Sequence, residues 1–301
     1  MAAMQHVLVL IAAPRLHRLD DSMVATAIEA MRAAGAAVGT PRWLAQEEAA
    51  ELAFEGTAPI MRSAVERVLE GWPIDVAVLP ADNRRKRLLI ADMDSTIVEN
   101  ETLDELAEQA GVGERVAAIT ARSMRGEINF SAALRERVAM LAGLEEAALE
   151  RTAARLRLMP GAETLVATMR RAGAVTALVS GGFKFFTSRV RARVGFDLDE
   201  SNELVLRDGT LTGAVIEPIL NRDGKHAALA RIAAARGLTL ADCLAVGDGA
   251  NDLGMIGAAG LGVAFRAKPI VAAAAAVRID HADLTALLYL QGYTRAEFVT
   301  A

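Results

Sequence analysis

Cysteine is nearly absent. Cys243 is the only one, so no disulfide can form within the chain, which fits a reducing, cytoplasmic setting. It precedes the apolar run Leu244-Ala245-Val246 and reads as a small core residue. Histidine is scarce too: His6, His17, His226 and His281 are scattered and show no zinc-ligand spacing. No apolar stretch makes a good membrane span, because the alanine-rich segment 257–277 is interrupted by Arg266, Lys268 and Pro269. Val7 to Ala13 is apolar but lacks a basic segment before it, and charged residues follow from Arg15 to Asp21. It reads as a buried strand rather than a secretion signal. An excess of positive charge is also missing. The formal net charge of −5 argues against a protein that coats nucleic acid. The local basic clusters, Arg84 to Arg87 and Arg189 to Arg193, read as a solvated linker and a helix face.

What the chain has in quantity is apolar residues, 53% of 301, many of them alanine. That composition predicts plentiful, closely packed helices and two or three domains of roughly 100–150 residues each. Residues 1–83 read as a small α+β unit. Strands are expected over His6–Ala13, within Pro41–Phe54 and over Ile74–Leu79, with helices over Asp20–Ala34 and Pro59–Glu70. From Leu88 the pattern changes to apolar strands alternating with longer helices, which predicts a parallel sheet. Its strands are placed at Leu88–Ala91, Val175–Val179, Cys243–Val246 and Gly262–Ala264. A helical insertion, about 101–158, separates the first two and reads as a cap above the sheet edge. Leu204–Leu220 reads as a β-hairpin turning at Asp208-Gly209.

The chemistry gathers at strand ends. Leu88-Leu89-Ile90-Ala91 runs into Asp92-Met93-Asp94, two carboxylates one residue apart. Such a pair repels, so a divalent cation or a shared proton must compensate. A second acidic loop, Gly247-Asp248-Gly249-Ala250-Asn251-Asp252, also follows an apolar run. Ser180-Gly181-Gly182 could bind an anion at a helix N-terminus. Lys225 precedes another helix and can place a positive charge on a phosphoryl group. Each alone is weak: Ser-Gly-Gly is commonly a turn, and a lone lysine commonly faces solvent. Together they are the parts of a phosphoryl-transfer site at the edge where open α/β sheets bind ligands.

In this order the motifs resemble the haloacid dehalogenase superfamily of phosphatases. Asp92-Met93-Asp94-Ser95-Thr96 matches its D-x-D-x-T signature, and Ser180, Lys225 and Gly247 to Asp252 match the motifs that follow. Glu99-Asn100-Glu101-Thr102, Met124 to Phe130 and Leu134 to Val138 are similar to the phosphoserine phosphatase branch, from about Leu88 to the C-terminus. The resemblance implies a Rossmann-like parallel-sheet core with a helical cap, and Mg²⁺-dependent hydrolysis of O-phosphoserine to serine through an aspartyl-phosphate, the last step of serine biosynthesis. It implies Asp92 as nucleophile and Asp94 as general acid and base. It assigns Mg²⁺ to Asp92, the Asp94 carbonyl and Asp248, with Asp252 supporting that shell. Ser180, Gly181 and Lys225 would hold the phosphoryl oxygens, with Asn251 as a polar contact beside them. Glu101 would bind the substrate ammonium and Arg137 its carboxylate, while Met124 and Phe130 would form an apolar lid.

Residues 1–83 more loosely resemble ACT-type regulatory modules, through their strand–helix–strand–helix–strand order. That likeness implies a possible homodimer through this unit, with serine as a possible inhibitor or effector, although a ligand-free assembly or stability module fits as well. The catalytic domain is then 84–301. Two competing functions stay open at this level. One is a related phosphatase or phosphotransferase acting on another small phosphomonoester; the other is an amino-acid sensor whose catalytic core is vestigial.

Overall fold

The computed structural model describes residues 5–13 and 16–300. In its N-terminal part β1 (His6–Ala12) is followed by α1 (Asp21–Ala33), β2 (Ala37–Val38), β3 (Arg42–Ala45), β4 (Ala49–Glu55), α2 (Ala58–Val68) and β5 (Ile74–Pro80). The single strand expected within Pro41–Phe54 is a hairpin, β3 with β4. Its turn places Glu47 at φ 61°, a left-handed conformation that the Glu-Glu-Ala-Ala pattern does not announce. Asp20 starts α1 by accepting the Met23 N–H at 2.9 Å. The helix buries Met23, Val24, Ala27 and Met31 along one stripe.

β1 lies between β4 and β5, antiparallel to both. Its side chains alternate between two cores. Leu8, Leu10 and Ala12 pack with α1 and α2 residues such as Ala27, Met31 and Val65. Val7, Val9 and Ile11 join the core that contains Leu287, Leu288 and Tyr289 from the far end of the chain. The antiparallel sheet is therefore covered by its own helices on one face and by the rest of the molecule on the other.

The second sheet begins at β6 (Leu88–Ala91). Four cap helices follow: α3 (Thr102–Gln109), α4 (Gly113–Met124), α5 (Phe130–Ala139) and α6 (Glu146–Ala154). Then come α7 (Ala162–Arg171), β7 (Val175–Phe183), α8 (Lys184–Val194), β8 (Leu198–Asn202), β9 (Leu204–Arg207), β10 (Thr210–Val215), α9 (Arg222–Ala235) and β11 (Cys243–Gly247). The chain closes with α10 (Leu253–Ala258), β12 (Leu261–Phe265), α11 (Pro269–Ala274), β13 (Val277–Ile279) and α12 (Ala286–Leu290). The sheet order is β13-β12-β11-β6-β7-β8, all parallel. β8 and β13 were not anticipated from the sequence. β8 is rich in polar residues, and β13 is only three residues long, so neither carries an apolar run. The hairpin turns at Asp208-Gly209 as expected, but its second strand stops at Val215.

Arg84 to Lys86 correct the solvated-linker reading. Arg84 pairs with Glu51 at 2.7 Å, with both side chains only 11% exposed, and its guanidinium donates to the Tyr289 and Leu290 carbonyls. The Lys86 ammonium donates to the Asn83 and Ala241 carbonyls. The segment is basic because it ties backbone acceptors of the parallel-sheet part to the N-terminal sheet. The Arg189 end of the other basic cluster does lie on a helix face, with its guanidinium over the Phe185 ring and paired with Glu150.

Candidate active site

β6 is wholly buried and occupies the middle of the parallel sheet. Its Ala91 pairs with Val246 of β11 and Leu178 of β7, so three strands reach the same edge side by side. The Asp92 N–H donates to the Val246 carbonyl at 3.0 Å, which sets Asp92 beside Gly247-Asp248. Two acidic motifs more than a hundred residues apart thus become neighbours through strand pairing. Ser180 lies two residues past the part of β7 that pairs with β6 and is itself paired with Ser201 of β8. Its Oγ accepts the Gly182 N–H at 3.0 Å, which curls the backbone there.

Lys225 is the sharpest departure from what a lone lysine does. Asn221 caps α9 by accepting the Gly224 N–H, and this places Lys225 in the first turn with its side chain 0% exposed. Its ammonium lies 2.8 Å from Asp92 Oδ1 and 2.6 Å from Asp252 Oδ1. Burial alone would lower its pKa, but Asp252 and Asp92 more than offset that and hold it raised. Burial, and then the Asp92 charge, push the Asp252 carboxyl upward against this pairing. The 2.6 Å contact, with a second donation from the Gly249 N–H at 2.9 Å, favours the ionised carboxylate.

Asp94 is half-buried and accepts the Thr102 N–H at 3.0 Å. Burial, followed by the nearby Glu101 charge, raises its pKa well above the ordinary carboxylate value. Glu101 accepts from Ser95 Oγ at 2.8 Å; its pKa is also raised by burial although 47% of its side chain remains exposed. Arg137 on α5 donates only to the Ala133 carbonyl of its own helix, at 3.3 Å, among the described residues. That leaves most of its guanidinium donors for a ligand.

A cavity of about 130 Å³ joins these groups. The core contributes Asp92, Asp94, Ser180, Gly181, Asp248 and Asn251. The cap side contributes Glu101, Phe130 and Arg137. Lys225 lies beneath this floor, reaching it through Asp92. Met124 is not among the lining residues. It ends α4 with 67% of its surface exposed, because that helix buries Val116 and Ile119 instead. Gly181 suits a close approach: a methyl group there would stand 2.8 Å from Phe130 Cζ and would displace that ring, so cap and core touch at this point. A roomier cavity, about 460 Å³, lies where α2 meets the segment after β13, lined by Trp72, Asp75, Arg278 and His281. It lacks the phosphoryl-transfer groups.

Carboxylate oxygens of Asp92, Asp248 and Asp252 lie within 4.8 Å of one another, all three residues buried. Lys225 answers part of that charge, and the surplus of hard oxygen donors suits a divalent cation such as Mg²⁺. Both Asp252 oxygens are engaged, Oδ1 by Lys225 and Oδ2 by the Gly249 N–H, whereas Asp92 meets Lys225 through Oδ1 alone, so Asp92 and Asp248 are the better placed to hold it.

With this geometry in view, comparison with known proteins decides the family. Residues 89–256 match the haloacid dehalogenase-like hydrolases. The chain belongs to that family. A phosphoserine phosphatase of Streptomyces coelicolor is 43% identical over 257 residues, covering 84% of this chain and 62% of that protein. One from Streptococcus thermophilus is 47% identical over 199 residues, which are 66% of this chain and 93% of the relative. The crystal structure of a probable phosphoserine phosphatase from Vibrio cholerae superposes with a TM-score of 0.76 at 30% identity, covering 97% of this chain and 88% of the other. The chain spans less than two thirds of the Streptomyces protein's length.

For a haloacid dehalogenase-like hydrolase, one lining residue stands out that the motif reading passed over. Lys268 lies 3.4 Å from Asp248 Oδ2 and 4.0 Å from Glu101 Oε1. It follows β12, the next parallel strand beyond β11, so its position at the active edge is a consequence of topology. The signal in the sequence was a lysine just past an apolar run.

Proposed function

We propose that this chain hydrolyses O-phosphoserine to serine and inorganic phosphate. The observation that carries this reading is that Glu101 and Arg137, a carboxylate and a guanidinium, line the same cavity as Asp92, Ser180 and Gly181. A ligand with a phosphoryl group at one end and an amino-acid head at the other matches that division of charge. The names of the Streptomyces and Streptococcus relatives support the same substrate.

In the proposed reaction an Asp92 carboxylate oxygen attacks phosphorus and the bond from phosphorus to the serine oxygen breaks. Asp94, whose enclosure raises its pKa and so favours the protonated form, donates to that departing oxygen. Asp94 then takes a proton from the water that attacks the aspartyl-phosphate, which frees phosphate and restores Asp92. Ser180 and the Gly181 N–H hold phosphoryl oxygens, and Asn251 adds a polar contact. Lys225 steadies Asp92 and contributes positive charge from below. Mg²⁺ held by Asp92, Asp248 and the Asp94 carbonyl would neutralise phosphoryl charge. Phe130 excludes water where the cap meets Gly181.

The lone cysteine is buried, and among the described residues no helix is long and apolar enough to cross a membrane. A reducing, cytoplasmic setting fits the first of these facts. Every residue given a chemical role lies beyond position 83, so we assign the ACT-like N-terminal unit to assembly or stability rather than to chemistry.

The test is phosphate release by the purified chain from O-phosphoserine, from other small phosphomonoesters, and with Mg²⁺ supplied or chelated. Mg²⁺-dependent release with a marked preference for O-phosphoserine is expected. Equal turnover of unrelated phosphomonoesters, or none of O-phosphoserine, would overturn the substrate assignment.

A further inference from the structure

We propose that Lys268 is a built-in competitor for the ammonium-binding carboxylate Glu101, and that it sets the preference for phosphorylated over dephosphorylated ligand. The proposal rests on the reading of Glu101 given above and deepens it.

The base of this side chain is held firmly. The Lys268 N–H donates to the Asp248 carbonyl at 3.0 Å, so its backbone is fixed to the acidic loop. Two residues earlier, Arg266 takes a left-handed backbone conformation, φ 44°, unusual for a residue with a side chain. Its N–H donates to the Ile279 carbonyl at 2.7 Å and its guanidinium to the Ala282 carbonyl at 3.1 Å. The chain thus turns sharply from β12 and delivers Lys268 to the cavity. The tip is less constrained, with 46% of the side chain exposed. Its ammonium stands between Asp248, at 3.4 Å, and Glu101, at 4.0 Å.

A ligand ammonium that comes to Glu101 therefore meets a carboxylate already facing a cation. Two like charges beside one acceptor repel, and the ligand loses affinity. The loss is not the same for every ligand. O-phosphoserine carries a phosphoryl anion that the Lys268 charge attracts, which offsets the repulsion. Serine keeps the ammonium and has no phosphoryl group, so it meets the repulsion alone. Lys268 thereby favours entry of the phosphorylated amino acid and departure of the product.

The experiment compares the full-length chain with Lys268→Met and Lys268→Arg, in buffer with and without Mg²⁺. Titration calorimetry measures binding of L-serine and of glycerate, which has the same hydroxyl and carboxylate but no ammonium. Because the groups are half solvated, the methionine variant is expected to bind serine roughly three- to fivefold more tightly, with no gain for glycerate. The arginine variant should behave as the wild type. A residue with a merely structural role would weaken both ligands together. Unchanged or weaker serine binding in Lys268→Met, or an equal gain for glycerate, overturns the proposal. Phosphate release from O-phosphoserine by the wild type is measured alongside. Its absence refutes the phosphatase reading and this inference with it; its presence beside an unmoved serine affinity refutes the role of Lys268 alone.

Discussion

The Asp75 carboxylate accepts the backbone N–H of Ala282 at 2.9 Å, across a sequence separation of 207 residues. Asp75 belongs to β5, and the same carboxylate also accepts from the N–H groups of Asp280 and His281. One buried side chain thus satisfies three consecutive donors of the segment after β13. Arg266 holds the His281 and Ala282 carbonyls of that segment.

Replacing Asp75 by alanine leaves those donors without their partner, the Ala282 N–H in a buried setting and the other two in a partly buried one. Because bonds to a charged acceptor are stronger than neutral ones, the variant is expected to lose about 3 kcal/mol of unfolding free energy. Denaturant unfolding followed by circular dichroism measures this. A change within experimental scatter would mean that water replaces the carboxylate at no cost.

A fragment beginning at Arg84 keeps every proposed catalytic residue but uncovers the face on which Val7, Val9 and Ile11 pack. It also loses Glu51, the partner of Arg84. We expect a fragment that retains some phosphatase chemistry, unfolds at lower temperature than the full chain and self-associates. Light scattering and a melting curve test both points. A monomeric fragment with an unshifted melting temperature would establish 84–301 as an autonomous domain.

Asp92→Asn keeps the shape of the side chain and removes the charge needed for attack, so turnover should all but vanish. Asp94→Asn should slow transfer and phosphoenzyme hydrolysis by about 10²–10⁴ while sparing substrate binding. Single-turnover measurements separate the two steps. Normal rates for both in the Asp94 variant would remove that residue from the mechanism.

Arg137→Ala should weaken use of O-phosphoserine by about 2–5 kcal/mol in kcat/KM, the usual penalty for removing one partner of an enclosed charge pair. It should affect phosphoethanolamine, which has no carboxylate, much less. Glu101→Gln should handicap both substrates, since both carry the ammonium. If Arg137→Ala lowers the two substrates equally, Arg137 is a general phosphate-binding or structural group and the account of specificity fails.

Local pattern was enough for the elements whose burial is uniform or strictly periodic. Leu88–Ala91 could be read as a strand because all four residues are apolar, and the structure buries all four; the Asp208-Gly209 turn and the carboxylate pairs at strand ends followed from short-range chemistry. The family, the parallel-sheet core and the acidic motifs were accordingly legible. Short or polar elements were not: β8 and β13 owe their place to strand pairing with neighbours rather than to any run of their own. Long-range contacts lay further out of reach. That Lys225 is buried between Asp92 and Asp252 depends on the start of α9 abutting two strand ends. That Arg84 is an internal tie depends on Glu51 and two carbonyls from distant segments meeting it. Met124 stands outside the cavity, and Lys268 inside it, for the same reason. Which way a side chain faces is set by what packs against its backbone, and for these residues the neighbours come from elsewhere in the chain.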